Sequence, residues 1–90
     1  MGQLKGHEIQ QVIQLFETEL SMLPKVNRIE KMRLRKRINS TVIPVMNQPY
    51  VTAEFVVHHV ENKLDDVLSI FVDSDRFTSK LNRLLKEFLG

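Results

Sequence analysis

The chain has 90 residues, 42 % of them apolar and 27 % charged, and no cysteine. This length fits one domain over residues 1–90 and excludes a second independent core, and the lack of cysteine excludes disulfide staples and thiolate chemistry. The net charge of +2 is unevenly spread: residues 25–37 hold seven basic residues against Glu30 alone, while the chain on either side is mildly acidic.

The first predicted helix runs from about residue 7 to 22. Ile9, Val12, Ile13, Phe16, Leu20 and Leu23 recur at three- and four-residue steps on one face. Glu8 suits the positive end of the helix dipole. Pro24 closes the segment, because the residue before a proline is pushed out of the α region.

The second predicted helix spans about 26–43, and its apolar residues do not form one stripe. Ile29, Met32 and Ile43 lie on one side of the helical wheel, and Leu34, Ile38, Val42 and Val45 on another. A helix with two apolar sides touches two things, and the side with Leu34, Ile38, Val42 and Val45 is the expected partner-binding surface. Pro44 is expected to end or kink this helix.

Asn47-Gln48-Pro49-Tyr50 reads as a turn. Thr52 is then the N-cap of a third helix of about 53–71, with Val56, Val57, Val60, Leu64, Val67, Leu68 and Phe71 on its apolar face. Asp73-Ser74-Asp75 breaks that helix and caps a fourth, about 75–89, striped by Phe77, Leu81, Leu84, Leu85 and Phe88. All three glycines lie near the chain ends, which argues against many tight β-turns. The expected fold is all-α, a compact bundle of about four amphipathic helices that oligomerises.

The richest polar pattern is on the third helix, where Glu54, His58, Glu61 and Asp65 share one face. Histidine and carboxylates at this spacing can ligate zinc or iron. The helical di-metal pattern, however, orders its residues Glu-x-x-His and needs a matching set on other helices. The four residues oppose the apolar stripe and read more simply as a solvated face. His58 and His59 together form a weaker candidate for a pH-sensitive patch.

Asp73-x-Asp75 lacks the central glycine and closing glutamate of a calcium loop. No Gly-rich phosphate loop, cysteine nucleophile or serine elbow is visible, and Ser69, Ser74 and Ser79 read as ordinary helix and cap serines. The expectation is no catalysis, no cofactor, no metal and no small-molecule substrate.

The strongest functional signal is the basic segment. Arg28, Lys31, Arg33, Arg35, Lys36 and Arg37 can contact phosphates or an acidic partner, and arginine suits bidentate contacts to either anion. The competing reading is that these charges neutralise the acidic helices beside them. No aromatic residue for base stacking lies in the segment, and no helix-turn-helix pattern is evident.

Two resemblances follow from these residues. Gly2, an acylation position, together with the Lys/Arg cluster loosely resembles retroviral matrix domains, although Gly6 stands where the acylation pattern wants Ser or Thr. That resemblance implies a membrane-associated helical domain. Met-Gly reads equally as a cloning remnant. Leu20, Leu23, Val26, Lys31, Met32, Leu34, Arg35 and Ile38 resemble, over residues 15–42, the BESS motif of insect chromatin-associated proteins, which implies a helical interaction segment and nothing narrower.

The favoured expectation is a non-enzymatic helical interaction module, a regulator or adaptor, acting as a homodimer or as a subunit of a larger complex. The first alternative is a nucleic-acid-binding regulator using residues 25–37. The second is a matrix-like membrane-associated protein using Gly2 and the basic face. With no signal peptide and no run near the roughly 18 apolar residues of a membrane span, the expected location is intracellular, cytoplasmic or nuclear, and not secreted.

Overall fold

The computed structural model describes residues 3–90, and their regular structure is entirely helical. Five helices follow in order: α1 Gly6–Ser21, α2 Arg28–Met46, α3 Ala53–Lys63, α4 Asp65–Leu68 and α5 Ser74–Leu89. Gly2, the expected acylation position, lies outside the described residues.

Each long helix starts where a polar side chain can satisfy free backbone donors. At α1 the Glu8 carboxylate accepts the Lys5 backbone N–H at 2.8 Å. At α2 the Asn27 side-chain oxygen accepts the Glu30 N–H at 2.8 Å, and the Asn27 amide donates to the Glu30 carboxylate at 3.0 Å. Thr52 caps α3 through the Phe55 N–H, and Asp73 caps α5 through the Arg76 N–H.

Two boundaries differ from the sequence expectation. Helix α2 runs through Pro44 to Met46. A proline removes one ladder bond and crowds the preceding turn. Here it sits in the last turn with its ring exposed, so only a few residues beyond it have to stay helical. The predicted third helix divides at Leu64, which has φ −123° and ψ 26° and so leaves the α region. Leu64 caps α3 through its N–H on the Val60 carbonyl, and its own carbonyl receives the Leu68 N–H that opens α4. The break re-aims the following turn so that Val67, Leu68 and Phe71 all reach the core.

One connected core draws on all five helices. Phe16 and Phe77 meet edge-to-face with ring centroids 4.8 Å apart, and Phe71 meets Phe77 in the same way at 5.0 Å. Val12 and Leu20 of α1, Val42 and Met46 of α2, Val56 and Val60 of α3, and Leu81 and Leu85 of α5 complete the centre. Burying each such side chain is worth roughly 1.5–3 kcal/mol relative to leaving it in water.

The two apolar sides of α2 exchange the roles expected of them. Ile38, Val42 and Val45, expected to bind a partner, are 1 %, 0 % and 4 % exposed and belong to the chain's own core. Leu34 is half-buried against the same core. Ile38, Val42 and Val45 therefore cannot form an outer surface while the chain is folded, whereas Leu34 keeps part of its side chain accessible. The opposite side carries Ile29 and Met32, which are 64 % and 60 % exposed, while Ile43, on the same side further along, is half-buried against the core. The physical reason is packing: α2 lies against α1 and α3, and the stripe with Ile38, Val42 and Val45 is the internal one.

Candidate partner-docking face on α2

The first half of α2 is the least covered part of any long helix. None of residues 28–37 is buried; Lys31, Leu34 and Arg35 are half-buried and the rest are exposed. At 100° per residue, Ile29, Met32, Arg33 and Lys36 fall on the outward face. Two large apolar side chains thus stand in water among cations. Isolated exposed apolar residues are ordinary, but a pair one turn apart on an uncovered helix forms a ridge.

The basic residues separate into two groups. Arg35 donates its Nε–H to the Glu17 carboxylate of α1 at 2.5 Å. Arg37 forms a two-pronged contact with Asp66 of α4, one prong measuring 2.8 Å, and donates also to the Lys63 carbonyl at 3.2 Å. The hydrogen bond from Arg37 holds the Asp66 carboxyl below the ordinary carboxylate range, and the reverse contact raises the Arg37 guanidinium. The Arg35 guanidinium is raised by its hydrogen bond to Glu17. These two arginines hold α2 against its neighbours. Among the described residues, Arg28, Lys31, Arg33 and Lys36 take part in no ion pair. The six expected contact residues are therefore four free cations and two tethers.

Beside this face lies a groove of about 340 Å³, lined by Val26, Leu34 and Ile70 with Glu30, Arg33 and Arg37 at its rim. Its apolar floor comes from three separate segments: the α1–α2 connection, α2 itself and the turn after α4. Val26 belonged to the interaction-motif resemblance, whereas Ile70 carried no functional signal in the sequence, because it lies far along the chain from the basic cluster. Only the break at Leu64 brings the 65–70 segment under α2.

The polar set on α3 is arranged differently from the metal pattern. Among the described residues no group of three or more histidine, cysteine or carboxylate side chains is gathered closely enough to hold a metal ion. Asp65 leaves the α3 face because Leu64 interrupts the helix. Glu54, His58 and Glu61 instead border an open groove against Ser79 and Asn82 of α5. Phe55, beside them, is half-exposed and stacks on His59 with ring centroids 6.3 Å apart. Among the described residues no helix is long and apolar enough to cross a membrane.

No protein-family model matches this chain, and comparison with curated proteins and with solved structures found no match.

Proposed function

We propose that the chain is a non-enzymatic interaction module, a regulator or adaptor, that docks a protein partner on the first half of α2. One observation carries this reading: none of the ten consecutive helical residues 28–37 is fully buried, and the segment exposes Ile29 and Met32 beside four cations that, among the described residues, take part in no ion pair. A partner segment with apolar side chains at helical spacing and carboxylates beside them would cover the ridge and neutralise the charge. Such helix-on-helix recognition is read through anchors at three- and four-residue steps, and rim charges of opposite sign raise the association rate.

Binding to nucleic acid would use the same residues with different chemistry. Two observations favour the protein partner. Arg35 and Arg37 are already engaged by Glu17 and Asp66, which leaves fewer cations for phosphates. The ridge between the free cations is aliphatic and offers nothing for a base to stack on.

The test uses three probes: a synthetic amphipathic helical peptide with leucines on one stripe and glutamates flanking it, the same peptide with lysines for glutamates, and a mixed-sequence duplex. The acidic peptide is expected to bind, and Met32→Asp with Arg33→Glu is expected to weaken it at least tenfold without changing helix content. Equal binding of the acidic and basic peptides overturns the reading. So does duplex binding tighter than peptide binding at physiological salt, with a steep salt slope.

A further inference from the structure

We infer that one partner of the α2 face is a second copy of this chain, docked head-to-tail through the groove between α3 and α5. This inference rests on the reading of α2 given above and deepens it. Helix α2 calls for a surface that is acidic and apolar together, and the chain presents one elsewhere. Glu54 and Glu61 stand on the α3 rim of a groove of about 610 Å³, closed on the other side by the uncharged Ser79 and Asn82 of α5. Phe55, at the same rim, is 50 % exposed. The groove is open, so a helix ridge can rest against it where a compact ligand would be poorly enclosed.

Charge decides the geometry of pairing. Residues 28–37 carry Arg28, Lys31, Arg33, Arg35, Lys36 and Arg37 against Glu30 alone. A two-fold dimer on α2 would set that cluster against itself, and a two-fold dimer on α3 would set Glu54 and Glu61 against their own copies. Like-charge juxtaposition across an interface is costly. Pairing α2 of one copy with the α3 groove of the next places opposite charges together and covers Ile29 and Met32 with Phe55. Such a contact is heterologous: a docked pair keeps one free α2 face on one copy and one free groove on the other, so assembly continues until a ring closes or a filament grows. Screening by salt weakens exposed contacts of this kind.

The experiment is sedimentation of the full chain over a concentration series at low and high salt, with two complementary variants. Glu54→Gln with Glu61→Gln removes the groove's charge and leaves α2 intact. Arg28→Gln with Arg33→Gln removes charge from α2 and leaves the groove intact. All four positions are exposed and lie outside the ion pairs, and circular dichroism checks that each variant keeps its helices. The wild-type mass is expected to rise with concentration above the 10.6 kDa monomer at low salt and to return toward it at high salt. Each variant alone is expected to stay monomeric. An equimolar mixture is expected to give a species of twice the monomer mass that grows no further, because it holds one working face of each kind.

A wild-type chain that stays monomeric at millimolar concentration and low salt overturns the inference. A dimer that ignores both pairs of substitutions, or a mixture that stays monomeric, overturns it as well. The acidic-peptide experiment separates the two proposals. A monomeric chain that still binds the acidic peptide on α2 loses self-docking alone, whereas a chain that binds neither the peptide nor its own copy loses both.

Discussion

Arg37 on α2 grips Asp66 on α4 with both ends of its guanidinium, although 29 positions separate them in sequence. The contact exists because α3 stops at Lys63 and α4 starts afresh at Asp65. An unbroken helix over these residues would turn Asp66 to another azimuth. Arg37 also bonds the Lys63 carbonyl, one of the acceptors that the end of α3 leaves open, so it reads the break twice.

The pair sets the acid behaviour of Asp66. Its folded-state carboxyl lies below the ordinary range because of the Arg37 hydrogen bond. A depressed carboxylate stabilises the fold above its unfolded value of about 3.9 and loses that contribution as pH falls through the lower folded value. Carboxyl-carbon NMR is expected to show Asp66 titrating below the ordinary aspartate value of about 3.9. In Arg37→Gln its midpoint is expected to move up toward that value. The solvent-exposed pair contributes little at neutral pH, so the variant should remain folded there. An unchanged midpoint would mean that Arg37 does not set it.

Aspartate substitutions at two positions of α2 are expected to give opposite results. Ile38→Asp puts a carboxylate into a site 1 % exposed, where an unpaired charge costs several kcal/mol, and should abolish cooperative thermal unfolding. Met32→Asp on the outward face should change stability by less than about 0.5 kcal/mol. Denaturant titration followed by far-UV circular dichroism measures both. A folded Ile38→Asp protein would contradict the assignment of this stripe to the core.

Asp73 holds the first turn of α5 by accepting the Arg76 N–H at 3.0 Å. Asp73→Ala is expected to cost about 1 kcal/mol, within the usual cap range of about 0.5–2 kcal/mol. Asp73→Asn should recover most of the loss, because the side-chain oxygen remains. The shift in denaturant midpoint gives the value, and equal midpoints for alanine and asparagine would exclude a capping role.

Tyr50 has φ +59°, a left-handed backbone that side chains with a Cβ adopt at a cost of roughly 1–2 kcal/mol. Its ring is 86 % exposed, so it gains almost no packing in return. Glycine removes the strain but adds roughly 0.5–1 kcal/mol of unfolded-chain freedom. Tyr50→Gly should therefore stabilise the fold by about 0.5–1 kcal/mol, whereas Tyr50→Val should destabilise it. Thermal melts of the two variants decide the sign.

The sequence carried the helical class and most of the helix limits, because caps and periodicity are local. Thr52 and Asp73 lie where their side chains reach a backbone N–H three residues on, and the stripe Phe77, Leu81, Leu85 needs only a period of 3.6 to be seen. Leu64 was not legible. It is neither glycine nor proline, it has no capping side chain, and it sits on the apolar stripe of its own helix. The only local sign is the pair Asp65-Asp66, acids of the kind that favour a helix start. The two sides of α2 were visible as two, but deciding which faces inward needs the positions of α1 and α3. The same holds for the basic cluster: composition counts charges, and only the tertiary contacts divide four free cations from two that hold the helix down.

Helix α2 is held by different forces along its length. At about 1.5 Å per residue its 19 residues reach about 28 Å. The half from Ile38 onward is clamped by aliphatic packing, which salt does not loosen. The other half is moored by the half-buried Leu34 and by Arg35 and Arg37, whose attachments weaken as ionic strength rises. Amide exchange along the moored arm, residues 28–37, therefore quickens with added salt before the clamped end changes. Leu34 keeps this arm in touch with the core, so added salt loosens the arm without releasing it.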